Sequence, residues 1–309
     1  MIKAIKFDSE SNYDLAIVAC SYEVRAQRLL TKPFKAINKI AIGYASNEIH
    51  SFEQNKILMQ SSGFDFFAYS DSEFDSALSK LLDLYRPASI LLDISCFTRL
   101  RLAQLLFKIV DSVKFVDCFY SLAHFTSPGA DPPYEYLGPI SDSLSGFGHN
   151  FSRPVSCISG LGYEFYRAVG VIEFLDPARV WVWRPKSPIL EYDFAVNKAN
   201  ALLLADLSQG SVVDYKVLNF EELTSDLMML VGNLRRQSAC VLLPFGPKLF
   251  AAAAILVGYC FPDVAVWRAS AGVHCEPVDQ EASDFEVFVR LDAIALKRFR
   301  GLVIQSLAN

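Results

Sequence analysis

Residues 20–26 read CSYEVRA, and residues 160–168 read GLGYEFYRA. Each sets Tyr-Glu just after an apolar run and Arg-Ala shortly beyond it. Two more landmarks follow in the same order. Phe52-x-x-Asn55-Lys56 answers Phe194-x-x-Asn197-Lys198, and SILLDISCFTR (89–99) answers SACVLLPFGPK (238–248). Tyr and Asn are 33 residues apart in the first copy and 34 in the second. From Asn to the closing cation, Arg99 or Lys248, the spacing is 44 and then 51, so the second copy carries an insertion. Ordered landmarks at nearly fixed spacing mark a duplicated unit. The alternative is that α/β units look alike because they share one hydrophobic pattern.

Within each copy, short apolar runs alternate with segments of helical periodicity. YDLAIVAC (13–20), KIAIGYA (39–45), SILLDIS (89–95) and KFVDCFYSLAHF read as strands with helices between them. Such spacing implies right-handed crossovers and a mostly parallel sheet. The expected fold is therefore α/β, with two tandem Rossmann-like units related by internal duplication and a pseudo-twofold. The first unit is expected over 1–125 and the second, with a C-terminal extension, over 153–309. Residues 126–152, rich in Pro, Gly, Ser and aromatics, form a connector or a loop over a site. In the extension, FEVFVRLD alternates as an antiparallel edge strand does.

The chain is 52% apolar and 20% charged, which requires a sheet covered on both faces or apolar surface buried on a partner or second copy. Its net charge of −5 argues against general nucleic-acid binding, which depends on neutralising phosphates. The start, MIKAIKFDSESNYD, turns polar too soon for a signal peptide. The run LFAAAAILVGYCF (249–261) is too short for a bilayer span and reads as a buried helix, so no membrane association is expected. Seven cysteines without CxxC spacing and four scattered histidines fit a reducing cytoplasm, with no metal and no cofactor.

Open parallel sheets bind ligands beyond the carboxyl ends of their strands, and most of the repeated polar landmarks fall there. Tyr22, Glu23 and Arg25 follow the first strand as Tyr163, Glu164 and Arg167 follow its counterpart. The carboxylates either bind a ligand hydroxyl or base edge, with the arginines on phosphate, or pair with those arginines to steady a turn. Gly160 and Gly162 permit close backbone approach where Cys20 and Ser21 stand in the first copy.

Asp93, Ser95, Thr98 and Arg99 in DISCFTR, and Gly246 and Lys248 in FGPK, suggest an anion at a helix start. An internal Asp93–Arg99 pair is the competing reading. The repeated Asn-Lys pair points to a structural hydrogen bond, because asparagine is a poor interior helix former. Tyr134 and Tyr136 either fold over a ligand or pack the connector, and His124 and His149 are loop histidines able to act as bases. The sequence lacks the P-loop, the full G-x-G-x-x-G fingerprint and the nucleophile elbow.

Paired Rossmann-like units resemble the nucleotide-binding, ligand-sensing dimers of bacterial defence and regulatory proteins. The resemblance is one of fold; with the polar residues at the strand ends, the expected function is a cytoplasmic binding or sensor protein for a nucleotide or other phosphorylated small molecule, as a subunit of a regulatory or defence complex. The alternatives are a nucleotide-directed hydrolase or transferase with Asp93, Glu23 or Glu164 as general base, and a structural scaffold. Two equivalent half-sites would favour a sensor of a symmetric ligand. One complete and one degenerate half would favour an enzyme or a one-site binder.

Overall fold

The computed structural model describes residues 1–45, 48–127, 134–146, 153–164, 167–270 and 277–308. His149 and Cys275 lie outside this set. The chain divides into two units, one comprising Met1–His124 with Pro277–Phe299, the other Phe125–Glu276 with Arg300–Asn309.

The first stretch of chain forms β1 (Ile2–Ala4), β2 (Asn12–Cys20), β3 (Lys35–Tyr44), α1 (Phe52–Ser61) and β4 (Asp65–Tyr69). It continues through α2 (Asp71–Tyr85), β5 (Ser89–Asp93), α3 (Arg99–Ser112) and β6 (Phe115–Ala123). Next come β7 (Tyr136–Pro139), β8 (Val155–Gly160), α4 (Arg167–Leu175), β9 (Arg179–Lys186), α5 (Leu190–Ala199) and α6 (Ala201–Asp206). The remainder is β10 (Val212–Lys216), α7 (Phe220–Leu234), β11 (Ala239–Leu243), α8 (Lys248–Cys260), β12 (Ala265–Ser270), β13 (Ala282–Asp292) and α9 (Ala293–Ala308).

The sheets run β1-β13-β6-β5-β2-β3-β4 and β10-β9-β8-β11-β12-β7. Their parallel parts, β6-β5-β2-β3-β4 and β12-β11-β8-β9-β10, share one topology. The expected two-unit, mostly parallel α/β fold is what the chain adopts. In each unit the first parallel strand is central. The chain winds outward over two strands and returns to the other side, leaving one switch point, at β2/β5 and at β8/β11. Apolar residues occupy both faces of the central strands: Leu15 to Ile17 and Ile90 to Leu92 are fully buried. Residues 249–260 of α8 are buried throughout, as their unbroken apolar run requires. Among the described residues, no helix is long and apolar enough to cross a membrane.

Both sheets gain an antiparallel strand beside the last parallel one. In the second it is β7, which comes from the expected connector and pairs with β12. In the first it is β13, so the C-terminal extension expected with the second unit instead pairs with β6. This strand is not an edge, because β1 covers its other side. Two local differences also appear. The segment after β2 winds as a 3-10 helix, Val24–Thr31, which stops ahead of Pro33. The helical stretch after β9 is interrupted at Asn200, between α5 and α6.

Candidate functional site

At the first switch point the crevice is filled by the chain itself. Arg25, only 7% exposed, donates from Nε and Nη2 to Glu23, from Nη2 to the Ser95 carbonyl and from Nη1 to the Ser121 carbonyl. The Glu23–Arg25 pair closes to 2.6 Å. Of the two readings open for these residues, the structure forms the pair. Below it, Ser95 Oγ accepts from Ser121 N and Asp93 Oδ1 accepts from Ser95 N, in a layer with almost no solvent access. Tyr22 faces the His50 ring at 6.1 Å.

An anion is present at this junction, but the protein supplies it. Asp279 Oδ1 accepts from Val24 N at 2.7 Å, and Oδ2 accepts from the Ser51 hydroxyl at 2.6 Å. Beside it, the Gln280 carbonyl accepts from Arg25 N. The carboxylate therefore takes N–H and O–H donors that helix starts offer to anions. Residue 279 is remote in sequence, and no local pattern links it to residue 24.

Arg99 is the first residue of α3, and Thr98 caps that helix by accepting from Arg101 N. Arg101 is 1% exposed and points inward. It donates to Asp71 and to the carbonyls of Gly43 and Tyr69, with its guanidinium 3.8 Å from the Tyr44 ring centroid. It thus ties the ends of β3 and β4 to α2.

At the second switch point, the chain packs closely around three glycines. Gly246 has φ +77°, and a Cβ there would run into the Leu161 carbonyl. A Cβ on Gly160 would lie 2.6 Å from the Phe245 carbonyl, and one on Gly162 would meet the Glu164 carboxylate. These glycines do allow close approach, but the groups approaching belong to the chain itself: the Leu161 and Phe245 carbonyls, the Phe250 ring and the Glu164 carboxylate. Lys248 begins α8, behind Pro247. Glu164 and Arg167 sit 3.9 Å apart, a looser pair than Glu23 and Arg25, with side chains 33% and 16% exposed. Tyr134 packs over this pair's helix start: its hydroxyl donates to the Arg167 carbonyl, and the Arg167 guanidinium is 5.5 Å from its ring centroid. Tyr136 stacks under Arg268.

The repeated asparagine is structural in both units, but in the second unit a different residue does the work. Asn55, fully buried, donates to the Ser21 and Glu23 carbonyls and accepts from Gln27. The residue placed like it is Asn200, 2% exposed, which donates to the Gly162 carbonyl. Gly162 precedes Tyr163 just as Ser21 precedes Tyr22. Asn197, the sequence counterpart, lies one helical turn earlier and bonds to the Asp193 carbonyl and Arg184. The missed signal was the doublet NKAN, which offers two asparagines on adjacent turns.

That one-turn slip has a second effect. Phe52, one turn before Asn55, is 2% exposed and lies edge-on to Phe66. Phe194 is 71% exposed and lines a cavity of about 590 Å³. Phe125, Tyr163 and Leu190 form further walls, with Glu191, Ala195 and Lys198 of α5 alongside. Tyr192 packs within 5.5 Å of both Phe125 and Tyr163 and braces the aromatic group. The cavity lies where loops leave the carboxyl ends of β8 and β9. Of the site residues expected from sequence, Tyr163 is the one that lines it.

Burial pushes the thiols of Cys20, Cys157 and Cys260 up to about 12 and that of Cys240 to about 11, so these sulfurs stay protonated at neutral pH. Among the described residues, no three His, Cys, Asp or Glu side chains are placed to hold a metal. His124 is exposed, and its backbone N–H bonds to the Glu281 carbonyl. No family model matches the chain, and no curated protein is similar enough to match it.

Proposed function

We propose that this protein binds a nucleotide-like or other phosphorylated small molecule, through the cavity of its second unit, and acts as a cytoplasmic binding or sensor protein. The observation that carries this reading is the cavity itself, which opens beside the β8 end. Aromatic walls suit a planar ring, and Lys198 offers a cation for an anionic group. The first unit, with its junction closed by Arg25 and Asp279, serves as a structural partner. The binding is thus one-sited. Work within a complex, with a partner protein or a second copy, is part of the same proposal. The exposed apolar residues Phe174 and Leu202 on α4 and α6 support it.

The test is a thermal-shift screen of mononucleotides and cyclic nucleotides against wild type, Phe194→Ala and Arg99→Ala. Stabilisation of wild type that falls by at least half in Phe194→Ala and is unchanged in Arg99→Ala fits one site in the second unit. Loss in Arg99→Ala instead would return the ligand to the first unit. No stabilisation by any of these anions would remove the reading. Glu164, one-third exposed next to Tyr163, is the residue a hydrolase or transferase would use as base. Turnover of the shifted ligand, abolished by Glu164→Gln, would favour that alternative.

A further inference from the structure

On α5, Glu191, Ala195 and Lys198 stand at i, i+4 and i+7, so they share one helical face, and all three line the cavity. Seven residues of helix place the Glu191 and Lys198 backbones about 10 Å apart, with the small Ala195 between them. That separation suits two different groups of one ligand better than a mutual ion pair. Neither side chain forms a hydrogen bond or ion pair with another described residue. The cavity therefore has a carboxylate at one end of a helical face and an ammonium at the other. Aromatic side chains from Phe125, Tyr163 and Phe194 line the same cavity.

An ionised carboxylate only accepts hydrogen bonds, and an ammonium only donates them. A ligand that satisfies both ends carries a hydrogen-bond donor, such as a ring amine, at one end and an anion at the other. We propose, building on the reading above, that the cavity selects an amino-bearing nucleoside monophosphate, with the exocyclic amine at Glu191 and the phosphate at Lys198. The aromatic walls hold the ring. The symmetric ligand that two equivalent half-sites would have implied does not match this polarity.

The experiment measures dissociation constants by calorimetry for three compounds: adenosine 5′-monophosphate, its analogue with hydrogen in place of the 6-amino group, and adenosine. Wild type is expected to bind the monophosphate roughly three- to tenfold more tightly than either of the others, the range of one charge-assisted hydrogen bond at a partly open site. Glu191→Ala is expected to erase the preference for the amine and keep that for the phosphate. Lys198→Ala is expected to do the reverse. Both side chains are exposed, so neither change threatens folding. Equal binding of the aminated and unaminated compounds, or a preference that survives Glu191→Ala, overturns the inference and leaves the proposed function standing. Failure of all three to bind overturns the inference, and with it the proposed function if the wider nucleotide screen is also silent.

Discussion

After β2, a guanidinium reaches three partners; after β8, closely packed glycine backbone, with the Phe250 ring and the Glu164 carboxylate against it, stands in the equivalent place. Both junctions begin from Tyr-Glu, and in both a buried asparagine from the second helix ties down the carbonyl before that tyrosine. The clamp is the shared feature, and the plug is where the units part. A guanidinium plug needs a carboxylate beside it and leaves little room. The second junction lies beside a cavity lined by aromatic side chains, which the one-turn slip opens by exposing Phe194. The lesson is that a polar landmark repeated at strand ends can record how a crevice is sealed rather than what it binds.

The largest expected effect comes from the guanidinium. Arg25→Ala strands Glu23 and two carbonyls and should cost about 3–5 kcal/mol in urea denaturation, because removing one partner of a buried pair leaves the other uncompensated. Arg167→Ala should cost about 1 kcal/mol or less, as befits a looser and more solvated pair. Equal losses would end the distinction between the plugs. The asparagines come next. Asn55→Ala and Asn200→Ala should each cost about 2–3 kcal/mol, since each leaves a buried carbonyl without its donor. Asn197→Ala should stay below about 1 kcal/mol. If Asn197 proves the more costly of the second-unit pair, the one-turn slip is wrong. Asp279→Ala, which frees Val24 N and the Ser51 hydroxyl, should cost less than either buried asparagine, about 1–2 kcal/mol, comparable to losing a helix cap. A melt that does not move would show that water replaces the carboxylate without loss.

Much of this architecture is legible in the sequence. Continuous apolar runs such as LAIVAC need burial on both faces, and helices of crossover length between them force parallel pairing. The strand ends where polar residues gather were therefore identifiable. Their partners were not. Arg25 looks equally suited to a phosphate and to a carbonyl, and what decides is the arrival of Ser95 and Ser121, 70 and 96 residues further on. The alternation in FEVFVRLD identifies an antiparallel strand, yet no property of those residues names the sheet they join. Four-residue β7 is too short to show any period at all. The cavity was hidden for a related reason. Phe194 and Lys198 stood out as repeat markers, but helix register decides which residue of a turn faces the core, and spacing reads that register only to within one turn.

The pairing of β13 with β6 has a consequence for the order of events during synthesis. Chain emerges from the ribosome at roughly 5–20 residues per second. About 160 residues, including the parallel core of the other unit, separate the end of β6 from the start of β13. For roughly ten to thirty seconds at those rates, the first sheet has its parallel core but an open edge at β6 and no Asp279 at its first junction. The second sheet has no such wait, because β7 is made before every strand it joins. The sheet that begins first is thus the sheet that finishes last.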